Sequence, residues 1–187
     1  MAIKTFTSGE VLTASDTNAY LNNGGLVYIT QATMSTGTTS INNCFTSAYR
    51  NYRVLITTSV VGANASFNLR FRAGGTDNSS ASYKFALWNI STVATTGSLV
   101  GNGNTEIAFA FVGSANGDTS TAMDIHDPQL AHRTKGSSTF FGYDSANWWN
   151  RGGGFMFDAT NQFDGFTVFT SAGTITGLIQ VFGYRNA

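Results

Sequence analysis

The fold class is decided by stretches in which every second residue is large and apolar, as in Phe67-Asn-Leu-Arg-Phe-Arg72. Residues 52–57, 83–88 and 107–111 alternate in the same way. A period of two residues is that of a β-strand with one buried face. Further strands are predicted at 27–32, 120–126, 138–144, 154–159, 165–170 and 177–185. Glycine-rich turns are predicted between them, including residues 101–103 and 152–154. Many short strands at this spacing predict an all-β, antiparallel sandwich of jelly-roll type.

The composition is poor in charge. Asp, Glu, Lys and Arg make up 11% of the 187 residues, against about 25% in ordinary soluble domains. Such surfaces can be buried against copies or neighbours at little desolvation cost. The net charge is zero, so neither nucleic acid nor an anionic membrane is an expected partner. Cys44 is the only cysteine, which excludes an internal disulfide and favours a buried small side chain. No apolar run has the length of a transmembrane helix.

Residues 1–25 form a leader in front of the β-patterned domain, residues 26–187. Within the leader, Thr13-Ala-Ser-Asp16 has the pattern of a capping box and predicts a short helix from residue 14 to about residue 22. A helix of this length is not stable alone. Its apolar side chains therefore need another surface, which is either the flank of this domain or a different protein. These side chains are Val11, Leu12, Tyr20 and Leu21.

Some predicted strands are apolar on more than one face. Both faces of residues 178–184 are apolar, and the face that carries Ala108 and Ala110 is small and uncharged. A two-layer sandwich buries one face of each strand. The second faces are therefore either an oligomer interface or the outer faces of central strands that long loops cover.

One acid–base cluster stands out, Asp124-Ile-His-Asp127, with His132 after it. On a strand, Asp124 and His126 share a face, where a carboxylate and an imidazole can hold a metal or exchange protons. The alternative is a polar edge or subunit contact, because Asp127 before a proline also fits the end of a strand.

A second pair of carboxylates, Asp158 and Asp164, flanks a predicted turn. Glycoside hydrolysis needs two carboxylates about 5–10 Å apart, but a structural hairpin explains this pair equally well. Nucleophile-elbow, P-loop and dinucleotide-binding motifs do not occur in the sequence. We therefore predict no catalytic residue, no metal and no cofactor.

The strongest recognition motif is Asn147-Trp-Trp-Asn-Arg-Gly-Gly-Gly154. We predict a glycine-flanked loop here, in which at least one tryptophan is exposed because neighbouring residues of an extended segment point in opposite directions. Aromatic faces beside amide and guanidinium donors suit sugars or a protein partner. The candidate contacts are Trp148, Trp149, Asn150 and Arg151. The alternative is that both tryptophans pack inside the protein or between subunits.

Positive charge is concentrated on two predicted strands that are candidates to be neighbours. The residues concerned are Arg50, Arg53, Arg70 and Arg72. Such a cluster suits an anionic surface polymer. The alternative is a solvated face whose arginines bind nearby acidic turns.

The leader, residues 9–21, resembles leaders of tail, fibre and other structural proteins of tailed bacteriophages. Residues 48–56, and residues 69–78 with the following Tyr83, look like the paired strands of a recurrent phage sandwich domain, and residues 174–185 resemble its closing strand. The resemblance implies a trimeric, jelly-roll-like sandwich on the virion, assembled in the host cytoplasm. Domains of this kind serve as fibre heads, attachment proteins or capsid cement.

These observations predict a non-enzymatic virion component, with a homotrimeric tail-fibre or host-attachment protein as the first hypothesis. Its leader would dock to another virion protein, and residues 74–82 and 145–154 would contact a host-surface glycan. The second hypothesis is a trimeric decoration or cement protein that stabilises joints between capsomers. A glycan-degrading enzyme is the third.

Overall fold

The computed structural model describes residues 7–11, 13, 25–93, 97–112, 118–143 and 147–185. In this part of the chain two antiparallel sheets pack as a sandwich, so the predicted all-β fold is confirmed. The predicted helix lies outside the described residues, as do Leu12, Tyr20 and Leu21. Val11 is described, and 79% of its surface is exposed.

Within the described residues the chain forms thirteen strands. They are β1 (Leu26–Met34), β2 (Thr38–Ile41), β3 (Asn51–Val61), β4 (Ala65–Ala73), β5 (Thr76–Asp77), β6 (Tyr83–Ser91), β7 (Gly97–Asn104), β8 (Ile107–Val112), β9 (Thr119–His126), β10 (Thr134–Tyr143), β11 (Trp148–Phe157), β12 (Gly165–Thr170) and β13 (Ile175–Tyr184).

The larger sheet has the strand order β1-β13-β3-β9-β10-β11-β6-β7. The smaller sheet has the order β2-β12-β4-β5, and β8 also pairs with β4. The chain passes repeatedly from one sheet to the other, as in a jelly roll. Every segment predicted as a strand overlaps an observed strand. Two predicted turns are wrong, because residues 101–103 lie inside β7 and residues 152–154 lie inside β11.

The antiparallel order gives the sandwich two chemically different ends. At one end, here called the loop end, β1, β3, β6, β8, β10 and β12 finish, and the strands that follow them begin. Backbone hydrogen bonds join its connections, such as Gly62 N to Thr174 O at 2.9 Å. At the other end, the terminal end, β1 starts and β13 stops, and Arg185 N donates to Gly25 O at 2.9 Å. The leader therefore joins the domain at the terminal end.

The core lies between the sheets and is richest in aromatic rings towards the terminal end. The rings of Phe71 and Phe163 stack with their centroids 4.9 Å apart. The buried hydroxyl of Tyr83 accepts a hydrogen bond from Phe71 N at 2.9 Å and donates one to Asn78 O at 2.8 Å. Cys44 is buried as predicted, and burial raises the pKa of its thiol to about 12. The alternation predicted for β3 and β4 is confirmed by their buried residues, Tyr52, Val54, Ile56, Phe67, Leu69 and Phe71.

Glycines inside the larger sheet make room for aromatic rings. Phe85 lies over its cross-strand partner Gly101, and Phe155 lies over Gly136 in the same way. A Cβ atom added at either glycine would stand 2.3 Å from a ring carbon, so only glycine lets the ring rest on the neighbouring backbone. The Trp88 ring lies over its cross-strand partner Gly152 in the same way, and the ring of Tyr49, just before β3, lies over Gly183. This explains why glycines occur inside β7 and β11.

Replacing Gly136 with alanine should destabilise the fold. The new methyl group would meet both the Phe155 ring and the Asp124 carbonyl oxygen, the latter at 2.5 Å. We expect Gly136→Ala to lower the free energy of unfolding by about 1–3 kcal/mol, as overpacked cores do, measured by urea denaturation. Gly154→Ala is the matched control, because its Cβ would meet only Gly136 O at 3.7 Å. Equal stability of the two variants would contradict the packing described above.

Candidate functional site

The predicted tryptophan motif lies on strand β11 and is split between its two faces. Trp148 and Asn150 point outwards, and 50% of the Trp148 surface is exposed. Trp149 and Arg151 point between the sheets, where Arg151 is buried. The prediction of one exposed tryptophan is confirmed, whereas the prediction of a loop is wrong. A ligand on the outer face therefore meets Trp148 and Asn150 but not the other two candidates.

Two aromatic residues of β10 join Trp148 on the outer face. The Phe141 ring, which is also 50% exposed, stacks on Trp148 with centroids 5.5 Å apart and planes 20° apart. Tyr143 is the cross-strand partner of Trp148, and their centroids are 4.9 Å apart. We call Phe141, Tyr143 and Trp148 the aromatic ridge. Sequence reasoning missed Phe141 and Tyr143, although the period of two in residues 138–144 places both on one face.

A groove runs along each side of the aromatic ridge. The larger, of about 550 Å³, is lined by polar side chains that include Thr57, Ser59, Asp118 and Ser120. The smaller, of about 250 Å³, has mostly apolar walls, with Ile90 and the ridge beside Ser91, Thr92 and Asn150. Aromatic faces pack against the apolar faces of ligand rings, and hydroxyl and amide groups bond to ligand hydroxyls. The outer face thus combines the two kinds of contact that a sugar ring needs.

The residues of the predicted acid–base cluster form hydrogen bonds with side chains of neighbouring strands. Arg53 donates to the two carboxylate oxygens of Asp124 at 3.0 and 2.8 Å, and the Tyr184 hydroxyl donates at 2.6 Å. Burial acts to raise the pKa of Asp124, but these hydrogen bonds outweigh it and leave the pKa below its usual value. The His126 ring nitrogen Nδ1 lies 3.1 Å from Asn51 Oδ1. Asp124 and His126 therefore each have their own cross-strand partner.

The remaining members of that cluster lie at the terminal end. Asp127 forms an ion pair with Arg50, and His132 Nε2 is 3.8 Å from Asp127 Oδ2. Across the described ranges, no three His, Cys, Asp or Glu side chains are grouped so that they could hold a metal ion.

Asp158 and Asp164 have separate structural roles. Asp158 forms ion pairs with Lys84, at 2.5 Å, and with Arg133. The hydrogen bonds from these two cations lower the pKa of Asp158 to about 2. Asp164 instead accepts a hydrogen bond from Gly74 N at 2.8 Å. The two carboxylates are therefore held by different segments.

The predicted arginine cluster is divided between the two sheets, so the expectation of neighbouring strands is wrong. Arg53 lies on β3 in the larger sheet, whereas Arg70 and Arg72 lie on β4 in the smaller one. Arg70 Nη2 bonds to Glu106 at 2.8 Å, and Arg72 pairs with Asp77. The alternative reading, in which arginines bind nearby acidic side chains, describes these residues.

The strands with two apolar faces are partly covered. Ile179 and Val181 of β13 are buried, and Phe182 on the other face makes an edge contact with Tyr28 at 5.8 Å between centroids. Ala110 is buried, whereas Ala108 is half-buried. β13 lies between β1 and β3, so side chains of these two strands flank its outer face. An oligomer interface on these faces stays a prediction.

No described part of the chain forms a helix long and apolar enough to cross a membrane. Neither protein-family models nor curated protein sequences gave a match to the chain.

The ion pairs of Asp158 predict a specific acid sensitivity. Because its folded pKa is lowered to about 2 from 3.8, its contribution to stability is present above about pH 4 and is lost as the pH falls towards 2. Asp158→Asn should reduce stability at pH 7 and flatten the loss between pH 4 and pH 2, as measured by urea unfolding at a series of pH values. Asp118→Asn, which changes an exposed carboxylate, is the control and should leave the profile unchanged. An unaltered profile for Asp158→Asn would show that these ion pairs contribute nothing.

Proposed function

We propose that this protein is a non-enzymatic structural and recognition component of a tailed-phage virion, namely a trimeric tail-fibre or host-attachment protein. Its leader docks to another virion protein, and the aromatic ridge binds a carbohydrate of the host surface. The observation that carries the proposal is the placement of the leader junction and the aromatic ridge at opposite ends of the sandwich. The phage assignment itself is supported by the resemblance of the leader and of the paired strands.

The separation of the two ends suits a protein that is anchored and displayed. Gly25 lies at the terminal end, whereas Tyr143 and Trp148 are the last residue of β10 and the first residue of β11 at the loop end. The ten residues of β11 span roughly 33 Å at about 3.3 Å per residue. An anchor at one end therefore leaves the aromatic ridge free to face outwards. Of the two predicted recognition segments, residues 74–82 lie at the terminal end, opposite the ridge. In this proposal they do not contact the carbohydrate.

The chemistry of the ridge favours a carbohydrate over a charged polymer. Phe141 and Trp148 expose ring faces, and the larger groove beside them is lined by hydroxyl-bearing side chains such as Thr57, Ser59 and Ser120. The three rings contact one another in one patch, and contiguous apolar patches mark interaction sites more often than singly exposed residues do. The described arginines Arg50, Arg53, Arg70 and Arg72 are bonded to carboxylates and supply no basic patch on this face.

Removing one ring of the ridge should abolish most of the binding. We expect Trp148→Ala to weaken binding to host-surface polysaccharide tenfold or more, since central aromatic contacts contribute about 2 kcal/mol or more. Isothermal titration with purified polysaccharide measures this. Tyr28→Ala is the matched control, because Tyr28 is 53% exposed but lies on the edge strand β1, away from the ridge. Unchanged affinity of Trp148→Ala, or an equal loss for Tyr28→Ala, would contradict the assignment.

The leader should be needed for assembly but not for folding. In the described chain, regular β-structure begins at Leu26, and Gly25 is bonded to Arg185 N. We expect deletion of residues 1–24 to leave the thermal midpoint of the domain unchanged and to abolish incorporation into particles, scored by immunoblotting of purified virions. Continued incorporation, or failure of the shortened chain to fold, would refute the anchoring role.

A capsid decoration or cement protein is the second candidate. It is favoured by apolar side chains that remain exposed away from the ridge, such as Val100 and Leu130, because a neighbouring capsomer would cover them. The number of copies per particle separates the two candidates. Hundreds of copies, counted by quantitative mass spectrometry of virions, would favour cement, and a few copies at the tail would favour attachment.

A further inference from the structure

Arg151 is a buried cation without a counter-ion in the described part of the chain. Its side chain points between the sheets from β11, and 8% of its surface is exposed. Its Nε donates to Asn89 Oδ1 at 3.3 Å, and none of the described carboxylates forms an ion pair with it. Burial lowers the pKa of Arg151, but a guanidinium stays protonated in proteins. The guanidinium is therefore largely enclosed, and its one hydrogen bond to a described residue is to a neutral amide.

Other arginines of the domain are placed differently. Each of the following is bonded to a carboxylate: Arg50, Arg53, Arg70, Arg72 and Arg133. Buried charges in proteins are normally paired and fully hydrogen-bonded, because an unpaired one is strongly unfavourable. Arg151 departs from this rule in a domain that has few charges and pairs these five with acidic side chains.

The surroundings of Arg151 are suited to a bound oxyanion. The two terminal nitrogens of Arg151 bond to no described atom. They are not fully enclosed either, so the guanidinium reaches solvent. On the same inner face, Ser138 Oγ is enclosed and has no partner. Phe140 pairs with Arg151, and Ser138 pairs with Gly153. Ser138 and Arg151 are therefore diagonal neighbours, whose Cα atoms lie about 7–8 Å apart. One oxyanion between them would satisfy both groups.

We propose that Arg151, with Asn89 and Ser138, forms an oxyanion-binding site between the sheets near the loop end. It takes a carboxylate or phosphate group, whose paired oxygens match the fork of N–H donors on a guanidinium. The group is carried either by an acidic sugar or by a free inorganic anion. The site lies on the face of β11 opposite the aromatic ridge, so it does not depend on carbohydrate binding there.

Anion-dependent stability of the full chain tests this site. We expect inorganic phosphate or sodium glucuronate to raise the unfolding temperature in a saturable way beyond sodium chloride of equal ionic strength, because a ligand of the folded state stabilises it by mass action. A response to glucuronate alone identifies the acidic-sugar source, and a response to phosphate identifies a free anion. Absence of any response beyond sodium chloride overturns the proposal.

Matched variants assign the effect to the residue. Arg151→Gln should remove the anion response, whereas Arg70→Gln, which breaks the Arg70–Glu106 ion pair instead, should keep it. If Arg151→Gln does not fold, Ser138→Ala serves in its place. We expect Ser138→Ala to weaken the binding of the anion several-fold, as measured by isothermal titration. A full response in Arg151→Gln, or in Ser138→Ala when Arg151→Gln is unfolded, would refute the site. Trp148→Ala should leave the anion response intact, which separates this proposal from the carbohydrate site.

Discussion

The strict alternation of side chains along each strand is the constraint on which the rest of this structure depends. In β4, Phe67, Leu69 and Phe71 enter the core, while Arg70 and Arg72 turn away from it and bind carboxylates. A shift of one residue in the pairing would exchange these two sets and place guanidinium groups among the aromatic rings. The apolar core therefore specifies the register of the strands, and the register specifies which polar groups meet at the surface.

The same alternation decides what β11 can do. Its first residues are two tryptophans, an asparagine and an arginine, and the strand sends them to opposite faces. Trp148 joins Phe141 and Tyr143 on an exposed face, and Arg151 enters the sandwich beside Asn89. One short motif thus serves two environments that a single ligand group cannot contact together.

Charge is scarce in this protein, and most of it is used for bonds between segments. Asp158 holds Lys84 and Arg133, and Arg53 joins Asp124 on the neighbouring strand. These pairs are partly exposed, so each contributes little to stability by itself. Their structural value lies in fixing the connections at the terminal end and the outer face of the larger sheet. The carboxylates that the sequence offers as catalytic candidates are the ones engaged in this way.

The sequence by itself determined the all-β class, the burial of Cys44 and the faces of β3 and β4, because a period of two residues is a local property that needs no knowledge of partners. It also predicted that at least one of the adjacent residues Trp148 and Trp149 is exposed. Tertiary structure decided the rest. The local preference of glycine predicts turns at residues 101–103 and 152–154, yet both segments pair with β6 as strands. Glycine is needed there because the rings of Phe85 and Trp88 rest on the neighbouring backbone. Arg53 and Arg70 lie in different sheets, and Phe141 stacks on Trp148. Arg151 is buried without a carboxylate partner in the described chain. Each of these features depends on which strands become neighbours. The local pattern of one segment does not specify its pairing with a segment far away in the chain.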